Sequence, residues 1–385
     1  MAASRRSHAS AGPASDPAGR RKADSAAPGL RLARPLLVAI LSPAGQPEMK
    51  LGALVISHNS AAELPACLKA LERFLEDFQA GIVVIDNAST DGSVAAAAAA
   101  PHAKLIALGQ NLGFAGAVNL GFDALQDAEA VLILNPDCVI SCSPAVLAAE
   151  LEAPETGAAA GQLIGESGTP QVGFQVRRFP TPWALTFEIL GINRIWPSNP
   201  VNRHWRALDL QLDSPTFVEQ PAGACLLVSR RCWLALGGFD EGFYPAWFED
   251  VDFLRRAHAA GWRTRFHPRF SAFHRGGHSV SKVSWARRQL YWYGGLLRYA
   301  NRHFSPAGKR FVSAAVMAGL APRLVMGIFT DRPSQALEVC GKVMRLAFSY
   351  LLTADSEPPR RTDRRAAIEN CGPLGSPWGQ EGNRH

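Results

Sequence analysis

Residues 81–92 read Gly81-Ile82-Val83-Val84-Ile85-Asp86-Asn87-Ala88-Ser89-Thr90-Asp91-Gly92. A short apolar run stops abruptly at Asp86. A cluster of turn-forming residues follows, and then an Ala-rich stretch over 92–100. An unbroken apolar run bounded by turn residues reads as a strand buried on both faces. The same unit recurs on either side. Residues 51–56 (LGALVI) end in Ser57-His58-Asn59. They precede an amphipathic pattern over 61–78 built from Leu64, Cys67, Leu68, Leu71, Phe74, Leu75 and Phe78. Residues 104–108 read as a strand before a helix over 113–125. Residues 130–134 (AVLIL) end in Asn135-Pro136-Asp137. This strand–helix alternation predicts a doubly wound parallel sheet of the α/β class. Such sheets bind ligands at the carboxyl ends of their strands. The polar clusters 57–60, 86–91 and 135–137 all fall there.

Outside this core the pattern loosens. Residues 158–235 mix short strands with Pro-rich loops. Residues 285–304 read as an aromatic, basic helix. Residues 311–329 are mostly apolar but interrupted by Pro322 and Arg323, and 335–352 are amphipathic. The expected organisation is a catalytic domain over 50–305, a helical extension over 306–355 and a disordered tail over 356–385. Residues 1–48 carry seven Arg or Lys against three acids and show no periodicity. They read as a disordered basic leader, or as a mis-assigned start with Met49 the true one. The net charge is +7, and most of it sits in that leader. The basic residues form no stripe on an element, which argues against nucleic-acid binding. The seven cysteines contain no C-x-x-C pair and no zinc spacing, so they read as thiols of a reducing compartment.

Five segments carry candidate chemistry. Asp86 ends a strand, where its carboxylate can accept from the imide N–H of uracil or thymine. The same residues also suit a solvated turn and a helix cap. In Asn111-Leu112-Gly113-Phe114-Ala115-Gly116-Ala117-Val118-Asn119, the glycines allow close approach of a phosphate to a helix N-terminus. A small-residue helix packed on the sheet accounts for them equally. The stretch is not G-x-G-x-x-G, which weighs against a dinucleotide-dependent dehydrogenase. Asp137 in Asn135-Pro136-Asp137 is placed to hold a divalent cation that bridges a diphosphate, or belongs to an ordinary Pro turn.

Residues 237–256 read GGFDEGFYPAWFEDVDFLRR. Acids at 249, 250 and 252 complement a helix dipole. That does not explain the aromatics crowded before them. Phe243, Tyr244, Trp247 and Phe248 beside carboxylates suit sugar binding, and a partly desolvated Asp suits a general base. Last, His274 and His278 lie among glycines in HRGGHS, a candidate metal contact or ordinary polar residues.

Taken in order, these segments resemble the family 2 glycosyltransferases, and within them the rhamnosyltransferase-like branch. The likeness spans roughly 51–304 and is strongest at Gly237–Arg256, which matches GGFDE…F…EDxDxxxR. The resemblance implies a GT-A fold, a Rossmann-like nucleotide-diphospho-sugar transferase sheet, here with a C-terminal helical extension. It implies that Asp86 binds the pyrimidine. Asn59, Asp91, Gly113, Asn119 and Asn135 would line the nucleotide-sugar pocket. Asp137 and His274 would hold Mg2+ or Mn2+, Asp250 would be the base of an inverting transfer, and Trp247 and Glu249 would meet the acceptor or sugar. The implied donor is dTDP-rhamnose, with UDP-hexoses open. The implied acceptor is a cell-surface polysaccharide or its lipid-linked precursor. The implied location is cytoplasmic, with peripheral contact at the inner face of the plasma membrane through 311–352. Asn135 stands where the family's metal motif begins with Asp. His278 has no counterpart role. The Q-x-x-R-W of processive synthases is missing, so single addition is implied. A sugar nucleotidyltransferase and a catalytically silent glycan-binding relative are the alternatives.

Overall fold

The computed structural model describes residues 49–276, 284–328 and 333–352. The expected leader 1–48, the tail from 356 and His278 lie outside the described residues.

Four parallel strands form one half of the sheet: β1 Leu51–Ser57, β2 Gly81–Asp86, β3 Ala103–Ala107 and β4 Ala130–Leu134. Their spatial order is β3-β2-β1-β4. The chain winds outward from β1 to β3, then returns to the other side of β1. A crevice opens where the winding direction reverses, at the carboxyl ends of β1 and β4. α1 Leu64–Glu72, α2 Ser93–Ala98 and α3 Gly113–Ala124 make the crossovers. The helix expected over 61–78 is shorter than its pattern, because Leu75–Asp77 forms a separate 3-10 turn.

The parallel expectation fails for the second half of the sheet. β5 Cys138–Ile140, β6 Thr156–Ile164, β10 Cys225–Ser229 and β11 Arg263–His274 complete the order β4-β10-β6-β11-β5, with β8 Thr216–Val218 also on β11. β10 runs antiparallel to β4 and β6, and β11 runs antiparallel to β5. β7 Val176–Arg177 and β9 Gln220–Pro221 form a separate small ribbon. Short helices α5 Pro182–Ile189, α6 Ile192–Ile195 and α7 Pro200–Trp205 occur where short strands and Pro-rich loops are expected, and α4 Ala145–Glu150 lies between β5 and β6.

Side-chain alternation along the strands supplies two core layers. Leu51, Ala53 and Val55 face α1 with Ile82 and Val84. Leu54, Ile56, Val83 and Ile85 face α3 with Val118 and Phe122. Each such buried aliphatic contributes on the order of 1.5–3 kcal/mol. α3 packs closely on β1, since a Cβ at Gly121 would lie within bonding-like distance of Leu54.

α8 Arg230–Leu236 is capped by Ser229, whose hydroxyl accepts from Cys232 N, and ends on left-handed Gly237. α9 Glu249–Ala259 follows. Three further helices, Trp285–His303, Pro306–Ile328 and Pro333–Leu352, close the chain. Val312, Val316, Leu320, Val339, Val343 and Ala347 share one core cluster with Leu296, Leu297 and Tyr299. The amphipathic pattern of the extension is therefore answered by packing on the domain. No helix among the described residues is long and apolar enough to cross a membrane.

Candidate active site

The loops after β1 and β2 are tied to each other. Asn59, at φ 53°, donates its N–H to Ser89 Oγ (2.9 Å) and accepts at Oδ1 from Thr90 N (2.8 Å). Asp91 accepts from Ser93 N (2.9 Å) and from Ala61 N (3.2 Å). Both residues thus brace the rim of the crevice. Asp86 is buried beneath them. Its Oδ2 accepts from Ser89 N (2.9 Å), while its Oδ1 is buried with no partner. A buried acceptor without a donor costs about 1–3 kcal/mol, a cost an incoming N–H would remove.

The glycine-rich segment is tied into the chain. Three N–H groups at the start of α3 have partners within the protein. Leu112 N donates to Asn87 Oδ1 (2.7 Å), Gly113 N to Asn111 Oδ1 (2.7 Å) and Phe114 N to the Pro245 carbonyl (2.7 Å). Gly113 sits at φ +73°, and a Cβ there would lie 2.9 Å from the Tyr244 ring. Its close approach in the structure is to the chain's own 244–245 loop, which accounts for the glycine by packing. Asn119 is buried too. It donates to the Phe239 carbonyl (3.0 Å) and Glu241 Oε1 (2.7 Å) and accepts from Phe239 N (2.9 Å). These bonds fasten α3 to the 237–241 turn.

At the end of β4, Asp137 and His274 come together. His274 Nε2 lies 3.8 Å from Asp137 Oδ2, and Gly276 N donates to the same oxygen (3.2 Å). Gln171, which sequence reading missed, clamps His274 twice. Its Nε2 donates to the His274 carbonyl (2.9 Å), and its Oε1 lies 2.9 Å from Nδ1. An amide oxygen can only accept, so Nδ1 carries the proton and the Nε2 lone pair faces Asp137. Phe174 stacks on the ring (5.3 Å, 10°). Burial, against the opposing pull of Asp137, holds the His274 pKa below its ordinary value, so the imidazole is neutral.

Asp137, Cys138 and His274 offer ligand atoms within 4.8 Å of one another. Cys138 is the poor member. Its thiol donates to the Ala224 carbonyl (3.1 Å), and burial pushes its pKa far up. A carboxylate beside a neutral imidazole with an oriented lone pair suits a hard divalent cation that takes its remaining ligands from phosphate and water. Asn135 is half-buried on the same turn, and its backbone N–H donates to the Ala224 carbonyl (2.9 Å).

Asp250 opens α9. Its Oδ2 accepts from Gly223 N (2.9 Å) and its Oδ1 from Val251 N (2.8 Å). Burial raises its pKa, opposed by these N–H groups and by Arg177. The preceding Trp247 and Phe248 both sit in the left-handed region, at φ 80° and 73°. Such backbone costs about 1–3 kcal/mol per residue and clusters at functional sites. Here it turns the chain into α9, where Asp250 meets the Gly223 N–H just before β10. Glu249 is buried, Oε2 has no partner, and burial followed by Asp250 drives its pKa well up. Trp247 is half-buried beside it.

The remaining acids of this segment are structural. Asp252 meets Arg256 (2.8 Å), Arg302 (3.3 Å) and His303 (2.8 Å), and Asp240 meets Arg298 (2.8 Å) and Arg302 (2.7 Å). Together they lock the helix Trp285–His303 onto the domain. One dipeptide joins the parts: Gly223 N holds Asp250, and the Ala224 carbonyl holds Asn135 N.

A mixed α/β sheet with polar turns at a reversal of winding places the candidate residues at one end of the sheet, where such folds bind ligands. The Glycosyl transferase family 2 model matches residues 53–208. An N-acetylglucosaminyl-diphospho-decaprenol L-rhamnosyltransferase of Mycobacterium tuberculosis (strain CDC 1551 / Oshkosh) is 31% identical over 234 residues, 55% of this chain and 74% of that protein. Rhamnosyltransferase WbbL of Escherichia coli (strain K12) is 26% identical over 155 residues, 40% of this chain and 54% of that one. Among solved structures, GalNAc-T7 with UDP, GalNAc and Mn2+ aligns at TM-score 0.49 and 14% identity, over 78% of this chain and 55% of that one. S. aureus TarS 1–349 with UDP-GlcNAc aligns at TM-score 0.40 and 17% identity, over 78% and 73%. The chain belongs to glycosyl transferase family 2 and is a glycosyltransferase of the rhamnosyltransferase-like branch, with the GT-A fold.

Proposed function

We propose that the protein transfers rhamnose from dTDP-rhamnose to a hydroxyl of a lipid-linked glycan precursor, with inversion at the anomeric carbon. The observation that carries the reading is the Gly223-Ala224 dipeptide, which places the Asp250 carboxylate beside the Asn135-Pro136-Asp137 turn. Asp86 Oδ1 is the unsatisfied acceptor that a pyrimidine imide N–H would fill. Asp137 and His274 would hold Mg2+ or Mn2+, which supplies positive charge against the departing diphosphate.

Asp250 removes the acceptor proton. Its raised pKa makes it a better base than an exposed Asp, and two N–H donors fix its direction. Glu249 and Trp247 border the acceptor side. The names of the mycobacterial and E. coli relatives support rhamnose, and the mycobacterial name supports a polyprenyl-diphosphate acceptor. Such an acceptor brings the enzyme to the membrane.

The test is donor hydrolysis and transfer across dTDP- and UDP-sugars, with Mg2+ or Mn2+ and with chelator. Metal-dependent release of dTDP from dTDP-rhamnose is expected, falling about 10²–10⁴-fold in Asp250→Asn at unchanged donor affinity. Release from UDP-sugars alone would replace the donor. Wild-type turnover by Asp250→Asn would remove the base.

A further inference from the structure

α5 Pro182–Ile189 is apolar on both faces. Ala184, Leu185 and Ile189 are buried in the core, whereas Trp183, Phe187 and Leu190, at i, i+4 and i+7, share the outer face. A short helix with apolar residues all round is normally enclosed. Here the outer face stays open: Trp183 is 59% exposed. The chain then turns at left-handed Gly191 and presents Ile195 at 86% and Trp196 at 54% exposure, at the end of α6 Ile192–Ile195. Phe311, on the helix Pro306–Ile328, extends the patch by an edge contact with Trp183 (4.7 Å).

Five large exposed apolar side chains in one region exceed the scattered singles of an ordinary surface. The charge around them is mainly positive. In residues 182–206 and 305–311 the basic side chains that reach solvent are Arg194, Arg203, Arg206 and Arg310, against one acid, Glu188. Glu188 faces inward enough to accept from Asn193 Nδ2 (2.8 Å). Arg194, Arg203 and Arg310 are exposed.

Two tryptophans with aliphatic neighbours and a basic surround match the chemistry of an anionic bilayer interface. There, indole rings settle at headgroup depth and Arg side chains meet phosphates.

We infer that the α5–α6 face, centred on Trp183, Ile195 and Trp196, is the surface by which this enzyme docks on an anionic lipid bilayer. Of the 311–352 stretch singled out in the sequence only Phe311 joins this face, and the apolar stripe of the rest is largely spent in the core. The inference gains its purpose from the lipid-linked acceptor proposed above, but its test needs neither donor nor acceptor.

The full-length chain is sedimented with phosphatidylcholine vesicles with and without phosphatidylglycerol, over a salt series. The wild type should bind the anionic vesicles and lose binding as salt rises. Trp183→Ser/Ile195→Ser/Trp196→Ser should weaken partitioning by about tenfold or more at unchanged donor hydrolysis. Arg194→Glu and Arg203→Glu should each weaken it by roughly fivefold and flatten the salt dependence. Equal vesicle binding by the triple variant overturns the assignment, as does a wild type that ignores vesicles. A dimer that the triple variant dissociates, without vesicle binding, overturns it in favour of a second copy of the chain. Vesicle binding lost in the variant, with no transfer from any donor by the wild type, supports the face and overturns the reaction.

Discussion

Gly223→Ala tests the catalytic geometry without touching a charged group. A Cβ built on Gly223 falls 2.8 Å from Asp250 Oδ2, 2.9 Å from its Cβ and 3.1 Å from its Cγ, where ordinary contact begins at 3.4 Å. The overlap is therefore about half an ångström at Oδ2. Gly223 is not among the glycines at positive φ, so the alanine backbone itself is unstrained. The carboxylate has to yield. It cannot do so while keeping both N–H bonds, because Asp250 is rooted in the first turn of α9. Misplacement of a reacting group by 1 Å costs about 10²-fold, so half of that predicts a fall in kcat of roughly 10- to 10²-fold. Donor affinity should hold, since Asp86, Asp137 and His274 are untouched. The assay is steady-state transfer at saturating donor and acceptor, beside donor titration by calorimetry and a thermal melt. A variant with wild-type kcat and an intact fold would refute the claim that the Gly223 N–H and Asp250 form the catalytic pair. Parallel loss of donor binding would show that the 222–225 segment serves the nucleotide instead.

Gln171→Ala should leave the fold intact and weaken Mn2+ binding by about 10- to 100-fold, read by EPR of the free ion without any turnover, because the His274 ring loses its orienting acceptor. Asp252→Ala strips Arg256, Arg302 and His303 of their shared buried carboxylate. It should cost about 3–5 kcal/mol, seen as a lowered unfolding midpoint, and Asp252→Glu should recover little of it. Burial, with Asp250 adding to it, raises the Glu249 pKa in the folded state above its unfolded value. The folded protein therefore holds that proton more tightly. The stabilisation is complete below the unfolded pKa and is lost as pH rises through the folded one. Melts of Glu249→Gln should accordingly decline less than wild type between acid and neutral pH, and parallel curves would contradict the assigned protonation. For Asp250, the acid limb of kcat should lie above the ordinary aspartate range near about 3.9, because burial raises its pKa.

Some of this was written locally in the chain. Apolar runs ending in Ser57, Asp86 and Asn135 announced buried strands with polar carboxyl ends, because burial on both faces and a sharp polar stop are properties of contiguous residues. From those runs followed the α/β class and the end of the sheet that bears the site. Other features depended on residues far apart, and their sequence signals were ambiguous. The glycines of 113–121 suited a phosphate or a tightly packed helix. Only the structure shows the packing: the Pro245 carbonyl on Phe114 N and Leu54 beneath Gly121. Asp240, Asp250 and Asp252 belong to one motif and look alike in sequence. Asp250 meets a backbone N–H, whereas the other two meet arginines from a helix some fifty residues on. Gln171 and Gly223 carry no local signal at all, since each acts on a partner distant in the chain. The sequence by itself determined the four parallel strands, their polar ends and the family. Only the tertiary structure decided which carboxylates are free to do chemistry. Side-chain identity is local, whereas desolvation and hydrogen-bond partnership are set by whatever the fold brings alongside.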